Sequence, residues 1–150
     1  MKVRRAELKD LSVIQRLNNQ LFELELKNFD SYLTKEWPLS NEGKIYFENS
    51  INNDFVAVVE IDDEVVGYIL GAVADIPYYS FNVAELCNMC VDAKYRNRGI
   101  GRMLYDYFVE YYKSVGIDHF IVTASFKNDN ARAFYKKMGF EEANITFTKF

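Results

Sequence analysis

"VDAKYRNRGIGRMLYDYF", residues 91–108, decides how the chain is read. It runs from a strand end through four cations and two glycines into a helix. No acid lies between Ala93 and Tyr105, although the net charge of the chain is −4. Ile100, Met103, Leu104, Tyr107, Phe108, Tyr111 and Val115 recur on one helical face, and Gly116 supplies a C-terminal stop. A strand feeding directly into a helix leaves unpaired backbone N–H groups at the helix start, where the aligned peptide dipoles favour an anion. Gly99 and Gly101 let a ligand approach the main chain, and Lys94, Arg96, Arg98 and Arg102 surround it with positive charge. The competing reading is a tight turn whose arginines stay in water. That accounts for one glycine, and poorly for two glycines with four uncompensated cations.

Upstream of this turn, "AELCNMCV" (84–91) reads as a strand entered from the loop "IPYYSFN" (76–82). "FVAVVEI" (55–61) and "VVGYILGAVA" (65–74) are β-branched runs joined by a hairpin turn at Asp62-Asp63-Glu64. The N-terminal "KVRRA" is a short strand. Leu11, Ile14, Leu17, Leu21 and Leu24 form the stripe of a helix that begins near Lys9 or Asp10. Lys27 to Gly43, with Trp37-Pro38, reads as an irregular, partly helical cap, followed by a helix over Lys44–Ile51. Downstream come a strand in "HFIVTA" (119–124), a helix with Ala131, Phe134, Tyr135 and Met138 on one face, a stop at Gly139, and a final strand near "ITFTKF" (145–150). Antiparallel strands followed by strand-helix-strand-helix alternation predict an α/β mixed sheet covered by helices. One right-handed parallel crossover would join "AELCNMCV" to "HFIVTA".

Length and composition place residues 1–150 in a single domain with one core. With 49% hydrophobic and 27% charged residues, 2 prolines and 7 glycines, the chain reads as soluble and globular. It has no apolar run of membrane-spanning length, and "MKVRRAELKD" lacks the apolar stretch of a signal peptide, so a cytoplasmic location without membrane partners is expected. The acidic balance argues against a nucleic-acid partner. Cys87 and Cys90 have C-x-x-C spacing, but there is no second pair and His119 is the one histidine. On a regular strand, residues three apart face opposite ways, so no metal site is expected.

The turn fits neither common nucleotide motif. No lysine-hydroxyl pair follows the glycines as a Walker loop requires, and Leu104 stands where a dinucleotide fingerprint needs a third small residue. It does resemble the acetyl-CoA signature of the Gcn5-related N-acetyltransferases: Gln or Arg, two residues, Gly, one residue, then Gly or Ala. "RNRGIG", Arg96 to Gly101, matches it, and "VDAKYR" precedes it as in many members. "NDNARAFYKKMGF", Asn128 to Phe140, matches the family's downstream N-x-x-A-x-x-(F/L)-Y-x-x-x-G-F segment, and the element order agrees over essentially the whole chain.

The resemblance implies the family fold, acetyl-CoA as co-substrate, no metal, and direct attack of a neutral primary amine within a ternary complex. It implies that main-chain N–H groups over Arg98, Gly99, Ile100, Gly101 and Arg102 hold the CoA pyrophosphate, with the side chains of Arg96, Arg98 and Arg102 in support. Val91 would pair by its backbone with the pantetheine arm. The Met89 N–H would face the thioester carbonyl as an oxyanion donor. Asn128 would bond the cofactor arm, or act as a helix N-cap, or both. Tyr135 would be general acid to the departing thiolate; read from its stripe alone, it is a buried aromatic. Several relatives acting on small amines carry a glutamate where this chain has Cys87. Glu85, on the same strand face, is then the candidate base through a water, or else a solvated strand-end charge; Cys87 as an acyl carrier is the lesser option.

Acceptor sites in the family form around the first two helices and their connection. There this chain supplies Glu23, Glu25, Asp30 and Tyr32, then Glu36, Trp37 and Glu42, with Asp75, Tyr78 and Tyr79 before "AELCNMCV". Acids among aromatics suit a small cationic amine such as a polyamine, amino sugar or amino-acid-like compound. The alternatives are a protein N-terminus or lysine, and a non-catalytic acetyl-CoA sensor. Homodimers are common in the family, and no stretch of this chain marks an interface.

Overall fold

The computed structural model describes residues 1–150. Strand β1 (Lys2–Arg5) leads through a short 3-10 turn (Leu8–Asp10) into helix α1 (Leu11–Asn28). A second such turn (Trp37–Leu39) precedes α2 (Asn41–Asn53), whose N-cap Ser40 accepts the Gly43 N–H at 3.1 Å. Then follow β2 (Phe55–Ile61), β3 (Glu64–Val73), β4 (Ala84–Val91), α3 (Ile100–Ser114), β5 (Phe120–Val122) and α4 (Asp129–Lys137). The strands form one sheet in the order β1-β2-β3-β4-β5. All pairs are antiparallel except β4–β5, which is the expected parallel crossover around α3.

Alternation along the strands divides the core. In β2, Phe55, Ala57 and Val59 point to one face, where Ile100, Leu104 and Phe108 of α3 cover them. Val56 and Val58 point to the other and meet Ile14 and Leu17 of α1 and Phe47 of α2. The hairpin between β2 and β3 turns on Asp62 and Asp63, both at positive φ (51° and 63°), the geometry that matches strand twist. Helix α3 lies so close to β3 that a Cβ on Gly71 would sit 2.4 Å from the Phe108 ring.

Three sequence expectations change. The stretch "ITFTKF" forms no strand: Ile145, Phe147 and Phe150 stay 70%, 91% and 84% exposed, and the Phe150 ring instead lies edge-on to Tyr32 at 4.7 Å. Its neighbour β5 is only three residues long, which leaves a short ladder on which to template another strand. In α1 the inward stripe ends differently, because Leu24 is 38% exposed while Glu25 is half-buried. Finally, Cys87 and Cys90 pack against the same core, on the α1–α2 face. The register steps from Leu70–Asn88 to Gly71–Leu86, so Cys87 is an extra residue that breaks the period of two.

Candidate functional site

The bulge at Cys87 is also where β4 and β5 part. Strand β5 pairs only with Ala84, Glu85 and Leu86, whereas β4 continues to Val91. The Asp92 N–H donates to Val66 O on β3 at 2.8 Å. By antiparallel alternation, Cys90 and Asn88 also turn their main-chain groups to β3, while those of Met89 and Val91 face the open side. There the Val91 carbonyl accepts the Arg96 Nε–H at 3.0 Å. An unpaired strand edge thus leads straight to the glycine turn.

The turn is held from behind by buried Asp92. Its carboxylate accepts the Lys94 N–H at 3.0 Å, the Arg16 guanidinium at 3.0 Å and the Gln20 amide at 3.2 Å. Burial opposes the charge, but these donors outweigh it and hold the carboxyl below its ordinary range. Asn97 and Gly99 take positive φ (62° and 77°), reversing the chain so that α3 starts pointing back along β4. No side chain caps α3. Its first backbone bond runs from Met103 N–H to Gly99 O at 3.1 Å, leaving the N–H groups of Ile100, Gly101 and Arg102 without acceptors in the helix. A Cβ on Gly101 would meet the Phe134 ring and Met89 Cε at 3.7 and 3.9 Å, ordinary contact distances, so packing within the chain does not demand glycine there.

The cations are not all free of partners, contrary to the sequence reading. Arg102 pairs with Asp106 one turn on at 2.9 Å, and the Arg98 guanidinium lies over the Tyr95 ring at 5.2 Å while donating to Lys94 O at 3.3 Å. Across the open edge, α4 is preceded by Asn128, whose Oδ1 accepts the Ala131 N–H at 3.0 Å, so the N-cap role is real. Tyr135, on the inward face of α4, stands edge-on to Phe134 and Phe140 at 5.3 and 5.8 Å. Burial, then the charge of Glu25, pushes its phenol up to about 12. Glu85 lies at the other end of β4, where its charge bears on Tyr46 and Cys87. Burial raises the Cys87 thiol to about 11, so it is protonated at neutral pH.

One feature escaped the sequence reading, and one acid already offered for the acceptor site, Glu25, receives its facing only from the structure. Asn18 of α1 donates its amide to the Tyr68 hydroxyl at 2.9 Å, which donates to Asn88 Oδ1 at 2.5 Å, a relay from α1 through β3 to the bulge. Glu25 faces the same side of α1 as Asn18. Its signal was present, since Ile14, Leu17, Asn18, Leu21 and Glu25 recur at helical spacing.

The Acetyltransferase (GNAT) family pattern matches residues 18–140. An uncharacterized N-acetyltransferase of Methanocaldococcus jannaschii is 29% identical over 134 residues, covering 84% of this chain and 56% of that protein. The ribosomal protein bS18-alanine N-acetyltransferase of Salmonella typhimurium is 26% identical over 102 residues, covering 68% of this chain and 65% of that protein. The chain therefore spans between half and two thirds of these relatives' lengths. Among solved structures, a mutant of a Bacillus halodurans protein superposes with a TM-score of 0.89 at 22% identity, covering 99% of this chain and 98% of the other. A predicted acetyltransferase of Clostridium acetobutylicum, solved with acetyl-CoA, does so with a TM-score of 0.80 at 21% identity, covering 99% and 95%. These two show the fold. Since the pattern runs from the middle of α1 through the split strand, the glycine turn and the whole of α4, the chain belongs to the Acetyltransferase (GNAT) family.

Proposed function

We propose that the protein transfers the acetyl group of acetyl-CoA to a primary amine by direct attack in a ternary complex. The observation that carries this is the unpaired edge of β4 at Met89 and Val91 leading to the uncapped start of α3. A strand edge suits the amide-bearing pantetheine arm, and free N–H groups at a helix start suit a pyrophosphate. In this reading the main chain from Arg98 through Gly99, Ile100 and Gly101 to Arg102 holds the pyrophosphate, and Arg96 and Arg98 add charge. Val91 pairs with the arm, the Met89 N–H stabilises the thioester oxyanion, and the Asn128 amide nitrogen, left over by its capping oxygen, bonds the arm. Tyr135 protonates the leaving sulfur; a phenol near 12 is fully protonated at neutral pH and so able to donate.

The acceptor in this reading is a small cationic amine. The half-buried Glu25 carboxylate of α1, whose charge bears on Tyr135, supports it, since a carboxylate attracts an ammonium ion. A protein α-amine is the second reading, favoured by the Salmonella relative, whose name specifies an alanine of a ribosomal protein. CoA release from acetyl-CoA is to be measured over 1,4-diaminobutane, glucosamine and an alanine-initiated peptide. Turnover with a small amine and not with the peptide is the expected result. Thermal protection by acetyl-CoA without turnover on any amine would instead make the chain a sensor.

A further inference from the structure

Helix α1 turns an apolar stripe to the sheet, and its central line runs through Ile14, Leu17, Asn18 and Leu21 to Glu25. Ile14 and Leu17 are fully buried and Asn18 is 2% exposed. Two turns beyond Asn18, a carboxylate occupies the place of the next core residue. No side chain of the protein offers Glu25 a hydrogen bond or a cation. An unpaired, half-buried carboxylate is costly, and proteins neutralise or pair such groups. A second vacancy for a donor lies on the same helix face: Asn18 Oδ1 is buried and makes no hydrogen bond. Asn18 begins the relay Asn18–Tyr68–Asn88 that ends at the bulge in β4, and the charge of Glu25 bears on Tyr68 within it.

The ionisable groups that face Glu25 are Asp30 after α1, Tyr68 on β3 and Tyr135 on α4. None is a cation. Glu25 is the one charge that bears on Tyr135, whereas Glu85 bears on Tyr46 and Cys87. Burial, then Asp30, raises the Glu25 carboxyl above its ordinary value, which suits a proton acceptor.

We infer that Glu25 is the carboxylate of the acceptor site, holding the ammonium of a small cationic amine and taking its first proton. The inference rests on the acetyl-transfer reading above and deepens it. The acceptor arrives as R–NH3+, and Glu25 accepts one proton to leave R–NH2. The nitrogen lone pair forms the N–C bond to the thioester carbon and the C–S bond breaks. The thiolate takes the Tyr135 proton, the phenolate is reprotonated by the second proton from nitrogen, and Glu25 releases its proton to water. The products are R–NH–COCH3, CoA thiol and one proton.

The test compares the whole chain with Glu25→Gln, Glu25→Asp and Glu85→Gln, using acetyl-CoA with 1,4-diaminobutane, glucosamine and the alanine-initiated peptide. Glu25→Gln should lower kcat/KM for the best amine about 100-fold, leave the KM for acetyl-CoA unchanged, and remove the acid limb of the kcat/KM profile in the carboxylate range. Glu25→Asp should keep that limb with partial activity, and Glu85→Gln should keep the acid limb. Because it removes an unpaired charge, Glu25→Gln should also match or exceed the parent in thermal midpoint at neutral pH. Parent-like kcat/KM and pH profile in Glu25→Gln overturns the inference, as does a loss confined to Glu85→Gln. An activity loss in Glu25→Gln accompanied by lower stability and lost acetyl-CoA protection marks a merely structural role and overturns it equally. No turnover by the parent on any of the three amines sinks the acetyl-transfer reading itself, whereas parent turnover that survives Glu25→Gln sinks this inference alone.

Discussion

Tyr135 is one residue with two compatible descriptions, an aromatic packed edge-on between Phe134 and Phe140 and a phenol whose proton burial holds tightly. Replacing it by Phe preserves the packing and removes the proton. Tyr135→Phe is expected to lower kcat about 100-fold with little change in thermal midpoint or in acetyl-CoA KM. Because the parent phenol lies near 12, its kcat should not decline through Tyr135 ionisation within an ordinary alkaline assay range; a decline there would place the donor elsewhere. The sequence made Tyr135, Asn128 and the two turn glycines legible because a motif surrounds each. Glu25 was harder to recognise, since an acid on a helix is ordinarily a solvated charge. Its meaning depends on which helical face reaches the sheet.

At the scale of elements, periodicity was a reliable guide wherever one face is buried along the whole length. Helix α3 is the clearest case, and its close seating on β3 depends on Gly71, where any Cβ would collide with Phe108. Gly71→Ala should cost about 1–3 kcal/mol through overpacking, read as a lower urea midpoint, with a lesser effect on acetyl-CoA binding because the glycine turn lies at the far end of the strand. Strand β4 was legible as a strand but not as a bulged one. An inserted residue has no compositional mark, and here it reversed the expected facing of Cys87 and Cys90. The strand expected at "ITFTKF" failed for the complementary reason: suitable β propensity needs a partner ladder, and β5 is too short to extend one.

Across the whole molecule, electrostatic anchors tie the N-terminal elements to the sheet. Arg4 of β1 bonds Asp10 through both terminal nitrogens at 2.8 and 2.9 Å and reaches Glu60 of β2 at 2.6 Å, while Asp92 binds the glycine turn to α1 through Arg16. Burial works against ionised Asp10, but the Arg4 bond and the Glu7 N–H overcome it and hold its carboxyl below the ordinary value, as happens at Asp92. A depressed carboxyl contributes stability that is present above its unfolded value and is lost as pH falls through its folded value. The thermal midpoint should therefore fall steeply below about pH 4, and Asp10→Asn, costing about 3 kcal/mol at neutral pH, should show a shallower acid decline. Glu25 has the opposite sign: its raised value penalises the folded state when ionised, so any gain from Glu25→Gln should vanish in acid. The sequence by itself determined the order of elements, the parallel crossover, the glycine turn and the family resemblance, because these follow from local period and from motifs contiguous in the chain. Only the tertiary structure decided that β4 and β5 part at a bulge, that Arg102 is engaged by Asp106, and that Glu25 and Asn18 turn inward from α1. Those depend on strand register and on which atoms become buried together, and both are set by contacts between segments far apart in the chain.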